Sequence, residues 1–206
     1  ELNNSTPVPG KSIALTIDAE LQKLVEDSFG KRKGGLVAIE PSTGEILAFV
    51  SMPNFDPNAF IDGIDQKIWE ELNSSPDNPL LNRPLKGLYP PGSTYKPFMA
   101  LAALSSGAKD PYETINDPGY FVLGNHKFRD SSQGGHGQVD MKKSIVVSSD
   151  TYYYKLAIGM GVDLIHEHIS PFGFGKQTGV DLSGEARGIL PSSSWKLKRH
   201  GTQWLQ

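Results

Sequence analysis

The chain has 206 residues, enough for one large domain, and its 20 Lys and Arg against 23 Asp and Glu give a formal net charge of −3. This balance lacks the basic surface that attracts nucleic acids and anionic membranes, so neither is expected as a partner. The absence of Cys from the sequence excludes disulfides, thiolate nucleophiles, iron–sulfur clusters and Cys-ligated zinc fingers.

The start of the chain predicts a linker followed by a helix. Residues 1–12 are polar, contain Pro and Gly, and are interpreted as a linker that leads into a single domain over residues 13–206. Asp18 suits the N-cap position of a helix, and Gly30 lies where that helix is expected to stop.

A hairpin and a long loop are predicted next. The apolar runs at 35–40 and 45–51 flank Pro41–Gly44, a pattern that predicts two short strands, both largely buried, around a turn. Residues 52–92 are rich in Pro, Gly, Asn and Asp and predict a loop with one short helix around Ile68–Leu72.

Helical patterns dominate from Ser93 onward. An apolar run to Leu104 is expected to stop at Ser105–Gly107, and Pro97 must lie in the first turn, the only part of a helix that tolerates Pro. The helix therefore starts close to Ser93. The rest of the chain predicts a short hairpin at 120–128 and a Pro/Ser-rich tail beyond 175. Between them, three further helices are predicted at 139–147, 151–160 and 162–170.

Ser93 and Lys96 form the first candidate for chemistry. Residues three apart share a helix face, so the amine of Lys96 can reach the Ser93 hydroxyl and, when neutral, take its proton. The backbone N–H of Ser93 at the helix start would supply half of an oxyanion hole. The spacing alone is weak evidence, because Ser-x-x-Lys occurs four times, at Ser28, Ser93, Ser106 and Ser193, and an N-capping Ser beside a solvated Lys is the simpler interpretation.

Sequence context favours Ser93 over the other three matches. Only this serine follows a rigid Tyr89–Gly92 approach and precedes a long apolar helix. A second polar segment, Ser148-Ser149-Asp150, lies at a break between two predicted helices. Its hydroxyl and carboxylate could relay a proton and hold Lys96 in place, although helix capping would also explain them.

Three segments carry a resemblance to a known family. They are Tyr-Pro-Pro-Gly-Ser-Thr-Tyr-Lys-Pro at 89–97, Ser-Ser-Asp-Thr-Tyr-Tyr-Tyr at 148–154 and Phe-Gly-Phe-Gly-Lys-Gln-Thr-Gly-Val-Asp-Leu at 172–182. Together they resemble the transpeptidase domain of class B penicillin-binding proteins, most closely its elongation-type members. With Asp-Pro-Asn at 56–58 and Asp-Pro-Gly at 117–119, the resemblance runs from about Ile13 to the last residue.

The resemblance implies a fold and a set of roles. The fold is α+β, of the serine β-lactamase and D,D-peptidase type, with a helical subdomain and the hairpin at 35–51 as part of an antiparallel sheet. Ser93 would be the acylated nucleophile, Lys96 its base, and Ser148 with Asp150 the second motif. The expected reaction is D,D-transpeptidation, in which Ser93 takes the acyl group of a D-Ala-D-Ala stem peptide and passes it to an amine of a neighbouring peptidoglycan strand.

Partners and location follow from the same resemblance. It implies β-lactams as covalent inhibitors, and a peptidoglycan polymerase and elongation-complex proteins as partners. No cofactor is implied. The expected location is the periplasmic face of the bacterial inner membrane, with an N-terminal anchor that this chain lacks.

Two departures from the family pattern modify these expectations. The third motif, Lys-Thr/Ser-Gly on the third strand of the sheet, is absent, because Lys176-Gln-Thr-Gly179 has an extra residue and belongs to the helical region instead of the sheet. The C-terminal strands of the sheet are therefore expected to be missing, and the fragment is expected to be inactive alone. Asp150 stands where many relatives carry Asn, and since an ionised Asp only accepts hydrogen bonds, it is expected to pair with the Lys96 ammonium.

Other functions remain open at this stage. A β-lactamase or D,D-carboxypeptidase would use water in place of the amine, and a penicillin-sensing receptor would trap the acyl group without turnover. The sequence offers no built-in deacylating base, which favours a long-lived acyl-enzyme. Asp117, Asp130 and His136 could supply three metal ligands, although loop carboxylates near one His are more often turn formers.

Overall fold

The computed structural model describes residues 8–204 of the chain. Of the predicted linker, residues 1–7 lie outside the described residues, and residues 8–12 contain neither helix nor strand. The described part divides into two compact units, the first ending at Gly87 and the second beginning at Leu88. Helices and small antiparallel sheets occur together, which confirms the α+β class.

The first unit is built on a helix and a hairpin. Helix α1 (Ala19–Phe29) begins where the Asp18 carboxylate accepts hydrogen bonds from two backbone N–H groups, and it ends at Gly30. Strands β1 (Gly34–Ile39) and β2 (Ile46–Met52) pair antiparallel, as predicted.

The prediction that both strands are largely buried was wrong for β1, whereas every residue of β2 is buried or half-buried. Residues of β1 alternate between half-buried and exposed, with Val37 and Ile39 exposed, and in β2 only Ala48 and Val50 are buried. Successive side chains of a strand point to opposite faces, so a helix packed on one face leaves the other face open. In this unit α1 packs against β2.

The remainder of the first unit is mostly irregular, as expected. Helix α2 (Gln66–Ser74) confirms the short helix predicted around residue 70 and is capped by Asp65. A single-turn helix, α3 (Arg83–Lys86), was not predicted; it packs against β1 and β2.

The second unit begins with the helix that follows Ser93. A 3₁₀ turn (Gly92–Tyr95) leads into α4 (Lys96–Ser106), and Pro97 lies in its first turn as predicted. Gly107 ends the helix in the left-handed conformation, with φ of 69°. These local features place the candidate nucleophile at the head of the helix.

Four short strands follow α4. Strands β4 (Tyr120–Leu123) and β5 (His126–Arg129) form the predicted hairpin. Strands β3 (Ile115–Asp117) and β6 (Gly137–Val139), which precede and follow this hairpin in the chain, pair antiparallel and were not predicted. Each of the two has three residues, too few to show a period in the sequence.

Four helices complete the unit. They are α5 (Met141–Val146), α6 (Asp150–Met160), α7 (Val162–Ile169) and α8 (Ser193–His200). The first three confirm predicted helices, whereas α8 lies in the segment interpreted as a tail. Helices α4, α6 and α7 pack together over the core of this unit, and no helix in the described part of the chain has the length and apolar character needed to cross a membrane.

Candidate active site

Ser93 and Lys96 sit on either side of the junction between the 3₁₀ turn and α4. Ser93 is exposed within the turn, and Lys96 is the first residue of α4, with only 8% of its surface exposed. The turn is entered through Pro91 and Gly92, and Gly92 has φ of 57°, a conformation that favours glycine. The sequence therefore presents the hydroxyl to solvent while it buries the amine.

The second motif lies at the junction between α5 and α6. Ser149 caps α6 by accepting a hydrogen bond from Tyr152 N, and Asp150 is the first residue of that helix. Ser148 precedes the cap with φ of 55°, a left-handed conformation that is uncommon for a residue with a side chain. This turn directs the Ser148 side chain towards α4, where it meets Lys96.

The two motifs meet in a continuous chain of polar contacts. The Ser93 and Ser148 hydroxyl oxygens are 2.8 Å apart, and Lys96 Nζ lies 3.0 Å from Ser148 Oγ. Lys96 Nζ also lies 2.6 Å from the Ser148 carbonyl oxygen and 2.6 Å from Asp150 Oδ1. The expected ion pair between Asp150 and the Lys96 ammonium is therefore present.

The contact between Ser93 and Lys96 differs from the expected one. Helical spacing predicted that Lys96 would reach Ser93 directly, but within the described residues Ser148 Oγ stands between them and bonds both. The reason is that Ser93 lies in a 3₁₀ turn, whereas Lys96 forms an ion pair with Asp150, the first residue of α6. The arrangement is a relay of two hydroxyls and an amine.

A buried acidic network lies behind the second motif. Ser149 Oγ donates to Asp117 Oδ2 at 2.7 Å, and Asp130 Oδ2 accepts from Thr151 N at 2.7 Å. Burial opposes ionisation of Asp130, but hydrogen bonds from Thr151 and Ser131 outweigh it and hold the pKa of Asp130 below its ordinary value. These bonds fix the first turn of α6 and thereby the residues on either side of Ser149.

The three residues considered as metal ligands do come together. One ligand atom from each of Asp117, Asp130 and His136 lies within 4.8 Å of the others, and His136 Nε2 is 3.7 Å from Asp130 Oδ1. His136 Nε2 is buried without a hydrogen-bond partner in the described chain. Two carboxylates and an imidazole form a donor set that suits Zn²⁺ and related ions, so these residues could hold a metal.

Two further features near the site can be compared with the sequence. Lys176–Gly179 is irregular chain after a short 3₁₀ turn, in the segment beyond residue 175 that was interpreted as a tail. The aromatic side chain beside the site is Tyr153, whose ring centroid lies 5.7 Å from Lys96 Nζ. Sequence reasoning missed Tyr153 because three consecutive tyrosines give no sign of which one faces α4.

Comparison with known proteins identifies the family. A family model described as "penicillin binding protein transpeptidase domain" matches residues 34–203. Over 100% of this chain, the sequence is 44% identical to peptidoglycan D,D-transpeptidase MrdA of Acinetobacter baumannii and 40% identical to MrdA of Escherichia coli K12, and it covers 31% and 33% of those proteins. The chain thus spans about a third of the length of these curated relatives.

Solved structures agree with the sequence matches. Pseudomonas aeruginosa PBP2 in complex with WCK 5153 superposes with a TM-score of 0.88 and 48% identity, over 97% of this chain and 46% of that one. Helicobacter pylori PBP2 in its complex with MreC gives a TM-score of 0.86 and 37% identity, over 92% of this chain and 35% of that one. The chain belongs to the family of penicillin-binding protein transpeptidase domains.

Proposed function

We propose that this chain carries the acyl-transfer centre of a peptidoglycan D,D-transpeptidase. The observation that carries the proposal is the unbroken chain of contacts from the Ser93 hydroxyl through Ser148 to the Lys96 amine, with Asp150 at its end. The relatives named peptidoglycan D,D-transpeptidase MrdA support the reaction class. The substrate is a stem peptide ending in D-Ala-D-Ala.

Proton transfer along this chain requires a neutral amine. Lys96 Nζ has three acceptors in reach, the carbonyl oxygen of Ser148, its hydroxyl and Asp150 Oδ1, which together satisfy the three N–H groups of an ammonium. When Lys96 loses one proton, the carbonyl and the carboxylate keep the two remaining N–H groups. The lone pair then faces Ser148 Oγ, and both hydroxyls can rotate so that Ser93 donates to Ser148 and Ser148 donates to Lys96.

The reaction proceeds in two acyl transfers. Ser93 Oγ attacks the carbonyl carbon between the two D-Ala residues while its proton passes through Ser148 to Lys96, and the terminal D-Ala leaves with a proton returned from the relay. An amine of a second stem peptide then attacks the ester, loses a proton to the same relay and releases Ser93. The product is a new amide cross-link between strands.

Acylation by a fluorescent penicillin tests the nucleophile. We expect Ser93→Ala to abolish labelling of the full-length protein, because the exposed Ser93 hydroxyl forms the solvent-facing end of the relay. Ser106→Ala is the matched control, since Ser106 is also followed three residues later by Lys, and it should label normally. Undiminished labelling of the Ser93→Ala variant would remove Ser93 from this role.

Asp150 is proposed to hold the amine of Lys96 in the relay. Its Oδ1 is 2.6 Å from Lys96 Nζ, so Asp150→Asn would remove the negative charge that contacts Lys96 Nζ. We expect Asp150→Asn to change both the acylation rate and its dependence on pH. A variant with the parental rate at every pH would rule out this role for Asp150.

The lifetime of the acyl-enzyme separates transpeptidation from hydrolysis. A β-lactamase or D,D-carboxypeptidase needs a group that activates water, whereas Asp150, the carboxylate that contacts the relay, is engaged with Lys96. We expect the penicilloyl adduct of the full-length protein, followed by intact mass, to persist for hours. Loss of the adduct within seconds would favour a hydrolase.

The proposed setting of the reaction is the periplasm, within the cell-elongation machinery. The Helicobacter pylori neighbour was solved in complex with MreC, and a further structural neighbour, with a TM-score of 0.69 and 29% identity, comes from work on a peptidoglycan synthase complex. Co-purification of the full-length protein with a peptidoglycan polymerase and elongation-complex proteins of its own organism tests this setting. Failure to retain any of them would argue against it.

A further inference from the structure

Two phenylalanine rings of the first unit are held together by a short turn. A 3₁₀ turn (Pro57–Phe60) is capped by Asp56, whose carboxylate accepts a hydrogen bond from Asn58 N at 2.9 Å. The Phe55 ring, before the turn, and the Phe60 ring, at its end, pack edge to face with their centroids 5.7 Å apart. Edge-to-face packing is a favourable geometry for aromatic rings, so the turn presents the two rings as a fixed pair.

Helix α2 adds a third ring. Asp65 caps the helix by accepting a hydrogen bond from Lys67 N, and Trp69 lies about one turn further along. The Trp69 and Phe60 ring centroids are 6.3 Å apart, with 88° between the ring planes. Phe55, Phe60 and Trp69 therefore form one connected group, which we name the aromatic patch.

The aromatic patch is exposed. Phe55, Phe60 and Trp69 are 36%, 38% and 43% exposed, and Ile61 and Ile68, each next to a patch residue in the chain, are exposed as well. A single exposed apolar side chain is ordinary on a protein surface. Connected aromatic rings are different, because exposed apolar patches with polar surroundings mark interaction sites and aromatic residues are enriched in interfaces.

Acidic side chains accompany the patch. From Phe55 to Glu71 the chain carries five carboxylates and one cation, Lys67, although the net charge of the whole chain is only −3. All five are exposed, and none forms an ion pair within residues 8–204. These five residues are Asp56, Asp62, Asp65, Glu70 and Glu71. The negative charge of the chain is therefore concentrated beside its exposed aromatic rings.

This charge indicates the kind of partner. A second copy of the chain would bring the same negative charge to the patch, and an anionic membrane would also be repelled. An apolar centre with a polar, charged rim is typical of interfaces between proteins that also exist apart. The complementary surface has an apolar side chain between Lys or Arg residues.

We propose that the aromatic patch is a docking surface for a basic, apolar segment of a partner protein. An apolar side chain of that segment packs against Phe60 and Trp69, and its Lys or Arg side chains pair with the neighbouring carboxylates. The patch lies in the first unit and the Ser93 relay in the second, so the proposal does not depend on the proposed reaction.

A designed peptide tests the surface. The probe is a synthetic helical peptide of about 18 residues with Leu on one face and Lys on the other, and fluorescence anisotropy follows its binding to the full-length protein. We expect saturable binding that weakens as salt rises, because exposed ion pairs are screened. The same peptide with Glu in place of Lys should bind at least about tenfold more weakly.

Two results of that titration would overturn the proposal. Equal binding of the Lys and Glu peptides would mean that charge does not select the partner. A lack of saturable binding by the Lys peptide would mean that the patch is covered by the rest of the full-length protein or binds no such segment.

A substitution within the patch locates the peptide. Trp69→Ala should weaken binding by about tenfold or more, as expected for a central aromatic anchor. Tyr112→Ala is the matched control, since Tyr112 is an exposed aromatic residue outside the patch, and it should bind as the parent does. Thermal melting verifies the fold of both variants. Parental affinity in folded Trp69→Ala would place the peptide elsewhere and refute the assignment.

Paired charge substitutions separate the patch from the net charge of the protein. Glu70→Gln combined with Glu71→Gln removes two carboxylates beside Trp69 and should weaken binding several-fold. Glu20→Gln combined with Glu45→Gln removes the same charge from exposed positions elsewhere in the first unit and should have no effect. Equal weakening by the two pairs would show that the peptide responds to overall charge, and the proposal would fail.

Other occupants of the patch give different results with the Trp69→Ala variant. Self-association of the parent that this variant abolishes, measured by sedimentation velocity, would assign the patch to a second copy of the chain. Binding of the parent to phosphatidylcholine vesicles that the variant abolishes would assign it to a membrane. Either result would overturn the proposal.

Penicillin labelling distinguishes this proposal from the proposed function. Trp69→Ala should be labelled at Ser93 at the parental rate, and a loss of labelling in the folded variant would mean that the patch supports the active site and is not a separate docking surface. Failure of the parent to be labelled would contradict the proposed reaction and would leave the peptide titration to decide the docking surface.

Discussion

Helix α4 has a serine and a lysine at the same three-residue spacing near each of its ends, and the two pairs have different surroundings. At the first end, Ser93 and Lys96 are joined through Ser148 and by Asp150. At the other end, Ser106 donates to the Ala103 carbonyl oxygen of its own helix. Lys109 there contacts Glu113 instead.

The difference arises from where each serine lies relative to the helix. Ser106 is inside the last turn, and its hydroxyl donates to the Ala103 carbonyl oxygen, which also accepts from the backbone N–H groups of Gly107 and Ala108. Gly107 then turns the chain into the left-handed conformation, so Lys109 no longer shares a face with Ser106. Ser93 precedes the helix, and its hydroxyl is free to meet another segment.

A second polar segment therefore decides which pair can react. Ser148 brings a hydroxyl, and Asp150 brings a charge, to one end of α4, and both are fixed by the cap of α6 at Ser149. Three-residue spacing places a serine and a lysine on one side of a helix. The lysine amine can act as a base for the serine hydroxyl only where a third group orients both side chains.

The largest effect is expected from removal of the amine. Lys96→Met keeps the length of the side chain but removes the base, and general-base catalysis contributes about 10²–10⁴-fold, so we expect acylation by fluorescent penicillin to slow by about 10³-fold. Lys31→Met, from the Ser28 and Lys31 pair of identical spacing, should keep the parental rate. A Lys96→Met variant that melts normally and is acylated at a rate within a few-fold of the parent would show that Lys96 is not the base at the first end of α4.

A somewhat smaller loss is expected from removal of the relay hydroxyl. Ser148→Ala and Ser148→Gly both lack it, and each should slow acylation by about 10²-fold, the lower end of the range for proton transfer. The two variants separate chemistry from backbone strain, because glycine accepts a φ of 55° freely and alanine does not. Ser148→Gly should thus melt at or above the temperature of Ser148→Ala, and full activity of either variant would exclude the relay.

A stability effect is expected at the opposite end of α4. Gly107 has φ of 69°, and a Cβ there would meet nothing within 4 Å, so the cost of Gly107→Ala is conformational alone. We expect a loss of about 1 kcal/mol in the free energy of unfolding, measured by denaturant titration, with no change in acylation rate. Ala108→Gly, one position on, is the matched control for chain flexibility. A slower acylation in Gly107→Ala would show that the two ends are coupled.

Local features were predictable from sequence because they depend on neighbouring residues. Asp18 as a cap, Pro97 in a first turn and Gly107 as a helix stop each follow from the geometry of a single residue. That Ser93 and Lys96 lie close together was predictable for the same reason, since they are three residues apart, whereas their catalytic roles stay a prediction. The pairing of Asp150 with Lys96 followed from the charge of a carboxylate that can only accept.

Features that depend on distant contacts were missed. The insertion of Ser148 between Ser93 and Lys96 requires a positive φ at a residue that is not glycine, which no local pattern indicates. The pairing of β3 with β6 joins short segments about twenty residues apart, with a hairpin between them. Helix α8 was missed because its three N-terminal serines resemble a flexible tail, although Ser192 is its cap.

The smallest predicted effect concerns how α8 is held at its start. Asp163 Oδ1 accepts a hydrogen bond from Ser193 N at 2.8 Å, and the backbone and side-chain hydrogen bonds of Ser193 lower the pKa of Asp163. A lowered pKa means that the folded state favours the ionised form, so this stabilisation is present above the ordinary Asp pKa of about 4 and is lost as pH falls through the lower folded value.

Replacement of Asp163 tests that dependence. Asp163→Asn keeps an acceptor for Ser193 N but loses the charge, so its melting temperature should lie slightly below that of the parent near neutral pH, and the two should converge at acidic pH. Asp163→Ala removes the acceptor as well and should melt below Asp163→Asn at every pH. A difference between parent and Asp163→Asn that stays constant across the acidic range would mean that the charge of Asp163 contributes nothing to holding α8, and that the backbone contact alone fixes this end of the unit.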